Sequence, residues 1–238
     1  AVASQLVKFK KEVDLVIKKG RTKDEAIFQV LKKAILDSEK VLFEGDNYSE
    51  EWQKEAQKRK LSNLESVPES ISKYLTPGSR DVLIGSGIFT DKELESRVEV
   101  EYEKFTKKVQ IESRVLADLA INHIVPTGIK YMSSLLENMK GIKEIFDEKE
   151  YKKLAATSKE AVIIISEHIT MIKNLVFEMV EERKNANIIE DAFKKALAYE
   201  KQVKPYLDNI RQHIDRLELI VDDEIWPLPK YRELLFTH

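Results

Sequence analysis

Three histidines, His123, His168 and His213, fall on three different stretches of helical periodicity. That is the least from which a helical bundle could assemble an imidazole metal site. Bundle di-metal sites place a glutamate three residues ahead of a histidine on each of two helices. Here the residues three before the histidines are Ala120, Ile165 and Ile210. The carboxylates of such a donor set are missing, and the imidazoles are expected in structural or surface roles. Glu112 is the second candidate. It stands in the series Leu94, Val98, Tyr102, Phe105, Val109, Glu112, Leu116, Leu119 and His123, which is otherwise mostly apolar. A carboxylate in such a seam must be paired or titrate upward. A catalytic acid would fit that placement, and so would an ion pair or hydrogen bond that fixes helix register; the register role is the expected one.

The remaining motifs carry less chemistry. Asp222, Asp223 and Glu224 form an acidic run, which ordinarily makes a solvated face and binds a divalent cation weakly at best. IGSGIF, residues 84–89, lacks the GxxxxGK[ST] spacing of a phosphate loop and reads as a connection. Lys8, Lys10, Lys11 and Lys18, Lys19, Arg21 alternate with acids on amphipathic stretches, so they are expected to solubilise helices and not to bind nucleic acid. The chain has no cysteine, which excludes disulfides, zinc–thiolate sites and cysteine nucleophiles. No catalytic, cofactor-binding or metal residue is expected in this chain.

Composition turns attention to the elements. The 238 residues carry 40 Lys and Arg against 42 Asp and Glu, for a net charge of -2, and this balance gives no global pull toward nucleic acid or anionic membrane. Charged residues make up 34%, while there are only 7 glycines and 6 prolines; long solvent-faced helices suit both facts. The longest uncharged stretch, Leu119 to Ile129, is far shorter than the roughly 20 residues of a membrane span. A cytoplasmic protein with no membrane partner is expected. The chain starts at Ala1 without methionine or an apolar leader, as a piece of a longer polypeptide would.

The helix signals are strongest at both ends. Leu6, Phe9, Val13, Val16 and Ile17 share a face, and Gly20 follows as a stop. Thr22 with Glu25, and Thr90 with Glu93, have capping-box spacing; Ser49 before two glutamates is a further N-cap. Residues 62–90 hold Pro68, Pro77, Gly78, Gly85 and Gly87 and are expected to be an irregular connection with short helices at most, VLIGSGIF being the one plausible strand. Beyond it come three long helical patterns. The Leu94-to-His123 series is the first, interrupted afterwards by Pro126, which should kink or divide the helix. Val162, Ile165, Ile169, Ile172, Val176 and Met179 form the second, and the third runs from Phe193 to Ile220, bent at Pro205. Steps of three and four are the signature of helix-on-helix packing. The expected architecture is all-α: an antiparallel bundle of long helices, with shorter N-terminal helices, divided at 1–42, 43–92 and 93–238.

Four stretches resemble one family. FEGDNYSEEWQKEAQKRKLSNL (43–64), KKVQIESRVLADLAINHIVPTGIKY (107–131), LLENMKGIKEIF (135–146) and above all KPYLDNIRQHIDRLELIVDDEIWPLPKYRELLF (204–236) resemble the C-terminal part of the large, type III glutamine synthetases of bacteria. Gly128 and Met132 depart from the alanine and glutamine the family pattern suggests. The resemblance implies a parent enzyme that joins ammonia to glutamate at the expense of ATP, with Mg2+ or Mn2+ as cofactors, assembled from hexameric rings. The metal- and phosphate-binding motifs of that family match no position here. Residues 1–42 then correspond to helices following the catalytic strands, and the rest to an appended helical region. The implied partners are the catalytic domain of the same polypeptide and neighbouring subunits of a homo-oligomer, and the implied role is subunit packing without catalysis. The alternative is a free-standing helical adaptor or oligomerisation module.

Overall fold

The computed structural model describes residues 2–235, which divide between residues 98 and 99 into two compact units. Among the described residues all regular structure is helical. The first unit opens with a hairpin of α1 (Val2–Lys18) and α2 (Lys23–Ser38). Gly20 makes the turn at φ +92°, a backbone conformation that side-chain-bearing residues rarely adopt. Thr22 then starts α2 through the expected capping box: its amide donates to the Glu25 carboxylate at 3.1 Å, and the Glu25 amide donates to its hydroxyl at 3.4 Å. The hairpin core is small, consisting of Val13, Ala26 and Val30 backed by Phe9, Val16 and Ile27.

Ser49 caps α3 (Glu50–Lys58), accepting from the Trp52 amide at 3.2 Å, and the Trp52 ring packs against Phe43 with centroids 4.9 Å apart. The proline-rich connection contains α4 (Val67–Ser72), a 3-10 turn and α5 (Pro77–Leu83). VLIGSGIF is not a strand. Val82 and Leu83 end α5, and the amides of Ile88 and Phe89 fold back onto the Leu83 carbonyl at 3.1 Å each. The two glycines favour a turn, and no neighbouring strand is available to pair with, so local hydrogen bonding prevails over β propensity.

From Asp91 to Ile145 the backbone is helical without interruption: α6 (Asp91–Leu119), a π-turn from Ala120 to Ile124, and α7 (Val125–Ile145). The helix expected to kink or divide at Pro126 is instead widened. The Val125 amide reaches the Ala120 carbonyl five residues back, in place of the usual four. The proline ring lacks an N–H and would crowd the carbonyl one turn earlier, and the added residue gives that turn room. The same device recurs at the second proline. α10 (Ala192–Ala198) runs through a π-turn from Tyr199 to Val203 into α11 (Lys204–Glu218), with Pro205 just beyond.

The centre of the second unit is α9 (Ala156–Ile188), joined to α7 by the short α8 (Glu148–Leu154). Its seam, Ile165, Ile169, Ile172, Val176 and Met179, is buried as the spacing requires, with α7 packed on one side and α11 on the other. Contacts from Asn187 to Tyr199, from Glu178 to Tyr206 and from His168 to His213 fix the α9–α11 pair as antiparallel. A last short helix, α12, covers Tyr231–Leu234.

On α6 the seam departs from expectation past Val109. The buried residues are Ser113, Ala120 and Ile124, while Glu112 and His123 are exposed and Leu119 only half-buried. Glu112 is therefore not a carboxylate in a helix seam. The chain takes a step of four at this point, and two of the positions it buries, Ser113 and Ala120, are small residues that a count of large apolar side chains passes over.

Candidate functional site

The structure brings together two of the three helical histidines. His168 from α9 and His213 from α11 meet Nδ1 to Nδ1 at 2.9 Å, with ring centroids 5.1 Å apart and planes tilted by 55°. One imidazole must donate and the other accept. Burial lowers the His168 pKa below the ordinary imidazole value, and the charges of His213 and Arg216 act the same way against the opposing pull of Glu167. His123 does not join them; it lies exposed on the first π-turn. Among the described residues no group of three or more histidines or carboxylates is placed to hold a metal ion.

A second polar centre lies where α6 passes the end of α9. The fully buried Tyr199 donates from its hydroxyl to the Asn187 side-chain oxygen at 2.8 Å, and the Gln110 amide donates to the same oxygen at 3.3 Å. Sequence periodicity reads Tyr199 as core, and the π-turn at its position is what aims the hydroxyl at Asn187. Burial pushes the phenol above its usual pKa, while hydrogen bonding from Gln110 and Asn187 and the guanidiniums of Arg183 and Arg114 work against that rise. Nη1 of Arg183 is buried without an acceptor among the described residues. Beside this network is a cleft of about 320 Å3 whose walls include Glu99, Glu103, Lys107, Glu190 and Lys195. Its charges are mixed, so neither a purely anionic nor a purely cationic ligand is matched.

The other motifs serve local structure. The acidic run closes a turn: Asp222 accepts from the Glu224 amide at 2.9 Å, and Lys230 pairs with Asp223 while donating to the Glu218 carbonyl at 2.9 Å. On α1, Lys10 of the basic cluster pairs with Asp14 at 2.9 Å, while Glu12 pairs with Lys33 of α2 at 3.9 Å. No helix among the described residues is long and apolar enough to cross a membrane.

The α1–α2 hairpin has the most unsatisfied surface. Leu6, Leu15, Phe28, Leu31, Ile35 and Leu36 are all exposed on its two helices. A groove there is lined by Leu6, Phe9, Val30 and Ala34, with Lys8, Glu12, Lys33 and Asp37 at polar positions. Surface leucines scattered singly need no explanation, but this many on a hairpin with so small a core are more than single scattered residues.

The family described as the glutamine synthetase C-terminal domain matches residues 26–143. The chain is 56% identical over 237 residues to a glutamine synthetase of Bacteroides fragilis, an alignment spanning all of this chain and 32% of that protein. It is 26% identical over 243 residues to a type-3 glutamine synthetase of Dictyostelium discoideum, covering 99% of this chain and 32% of the other. A glutamine synthetase of Butyrivibrio fibrisolvens is 27% identical over 213 residues, 90% of this chain and 30% of the relative. The chain thus spans about a third of the length of these relatives.

Proposed function

The chain belongs to the type III glutamine synthetases and carries their C-terminal domain; from that premise we propose that it is the helical, non-catalytic third of such an enzyme and that it supports subunit packing. In this reading the whole polypeptide joins ammonia to glutamate at the expense of ATP, in the cytoplasm. The ATP and the Mg2+ or Mn2+ are held by the remainder of the polypeptide, and this part contributes no catalytic residue.

The observation that carries the packing role is the exposed apolar surface of the α1–α2 hairpin. Leu6 and Leu15 of α1, and Phe28, Leu31, Ile35 and Leu36 along the outer side of α2, stand exposed on a pair of helices whose own core rests on Val13, Ala26 and Val30. Two helices with so little mutual burial need a third surface to be stable. A catalytic domain in the same polypeptide supplies it at high effective concentration, because the two are tethered. The long helices of the second unit extend the packing surface toward neighbouring subunits of a homo-oligomer, which in this family is built from hexameric rings.

The test is made on the full-length polypeptide. Phe28→Glu combined with Ile35→Glu on the hairpin, and separately removal of residues 93–238, are each expected to break the oligomer, read as a fall in native mass, and to lower glutamine formation with it. An intact oligomer with normal turnover in either variant would sink the packing role. The 238-residue chain alone, supplied with glutamate, ammonia, ATP and Mg2+, is expected to form no glutamine; measurable turnover would overturn the non-catalytic assignment.

A further inference from the structure

The bridge between His168 and His213 spans the α9–α11 seam and has no role in the packing function above. Both imidazoles are half-buried, they come from different helices, and their Nδ1 atoms are 2.9 Å apart. No third histidine or carboxylate stands with them to complete a metal site among the described residues. The ligand this geometry does accept is the proton.

In the neutral pair one ring carries its proton on Nδ1 and donates it to the bare Nδ1 of the other, which keeps its own proton on Nε2. A first added proton binds the free Nε2 of the donor ring, and the Nδ1–H···Nδ1 bridge survives as a charge-assisted hydrogen bond. A second can go only to the accepting Nδ1. It turns the acceptor into a donor, removes the bridge and sets two imidazolium N–H groups face to face. The charged side chains acting on His168 are Glu167 on α9 and Arg216 on α11, one favouring the added charge and the other opposing it, so together they offer no net counter-charge.

We propose that the His168–His213 bridge is a proton-operated latch on the α9–α11 seam, closed with at most one added proton and opened by the second. The sign follows from linkage. A histidine that resists protonation in the folded chain binds fewer protons there than in the unfolded chain, whose imidazoles titrate near 6.5. Stability is then complete above that value and falls as the pH drops through it.

The experiment is thermal unfolding of the 238-residue chain across pH 5 to 8, with and without EDTA. The wild-type midpoint is expected to fall on acidification by about 3 °C or more, the shift that roughly 1 kcal/mol produces in a domain of this size, with EDTA making no difference. His168→Gln combined with His213→Gln is expected to flatten that dependence. An equal slope in wild type and double variant overturns the latch, and a wild-type curve altered by EDTA shows a metal in place of the proton. NMR titration of the ring Cε1 protons gives a second reading on the unmodified chain. A His168 midpoint below 6.5 supports the latch, and one at or above 6.5 overturns it.

Discussion

Glu112 and Ser113 are chain neighbours about 100° apart around α6: the carboxylate is exposed, and the hydroxyl-bearing residue is 1% exposed and donates to the Gln110 carbonyl at 2.9 Å. The two positions therefore respond differently to the same substitution. Glu112→Leu adds an apolar side chain to an open face and is expected to change unfolding stability by no more than about 0.5 kcal/mol. Ser113→Leu forces a much larger side chain into a filled space and is expected to cost about 1–3 kcal/mol. Urea unfolding midpoints of the two variants decide between this seam and the alternative one. A large loss for Glu112→Leu with a small one for Ser113→Leu would put the carboxylate back inside.

How far sequence alone carries the fold depends on the kind of residue at the seam. On α9 the buried positions are isoleucines, a valine and a methionine at steps of four and three, and large apolar side chains at regular spacing leave little choice of face. On α6 the seam passes through Ser113 and Ala120. Small residues are buried because helices approach closely there, a property of the neighbouring element that one helix's hydrophobic pattern does not encode. The caps are legible for the opposite reason, since Thr22 with Glu25 and Thr90 with Glu93 satisfy amides within their own segment. The π-turns escape because proline announces only that something must yield. Whether the helix kinks, stops or widens is decided by what holds both ends, and in α6–α7 the packed seam beyond the proline favours widening. The pairing of His168 with His213 is hidden for a further reason. Both occur in helical series, but the register of α11 on α9 sets their distance, and that register depends on two helices and on α10 and the π-turn between them.

Gly128 of α7 lies against α9, where a methyl group added at its Cα would stand 3.0 Å from Ile169 Cδ1 and 3.6 Å from Ile165 Cγ2. The closest atom is the free end of a side chain, so a few tenths of an ångström of rotation relieves the contact. Alanine is also the better helix former by about 1 kcal/mol. Gly128→Ala is expected to raise stability by up to that amount, whereas Gly128→Val, with branches that the isoleucines cannot clear, is expected to lower it by about 1–3 kcal/mol. Chemical denaturation of both variants is sufficient, and a loss of stability in the alanine variant would mean that Ile169 cannot move.

Tyr199 separates packing from hydrogen bonding. Its ring is fully buried and its hydroxyl is 2.8 Å from Asn187 Oδ1. Tyr199→Phe keeps the ring and loses one hydrogen bond; the Asn187 oxygen still accepts from Gln110, so the expected cost is about 1 kcal/mol. Tyr199→Ala empties the space beside the second π-turn and is expected to cost about 3–5 kcal/mol. Equal losses in the two variants, measured by thermal or urea unfolding, would mean that the hydroxyl and not the ring sustains this part of the core.

The cap of α6 has its own acid response. The Thr90 amide donates to the Glu93 carboxylate at 2.8 Å, and the Glu93 amide donates to the Thr90 hydroxyl at 3.3 Å. The Thr90 backbone amide, with help from its hydroxyl and from Arg97, holds the Glu93 carboxyl below the ordinary value of 4.5 against a smaller opposing effect of burial. A lowered carboxylate favours the folded cap at pH above its unfolded value, and that contribution is lost as the pH falls through the folded one. The backbone amide resonance of Thr90 is therefore expected to titrate with a midpoint below 4.5, reporting loss of its acceptor. Glu93→Gln should remove the titration and leave a neutral acceptor in place, and Thr90→Ala should take away the hydroxyl's share of the lowering, so that the Glu93 midpoint moves up toward 4.5. A wild-type midpoint at or above 4.5 would mean that the capping box does not form in solution and that the first turn of α6 is held by packing alone.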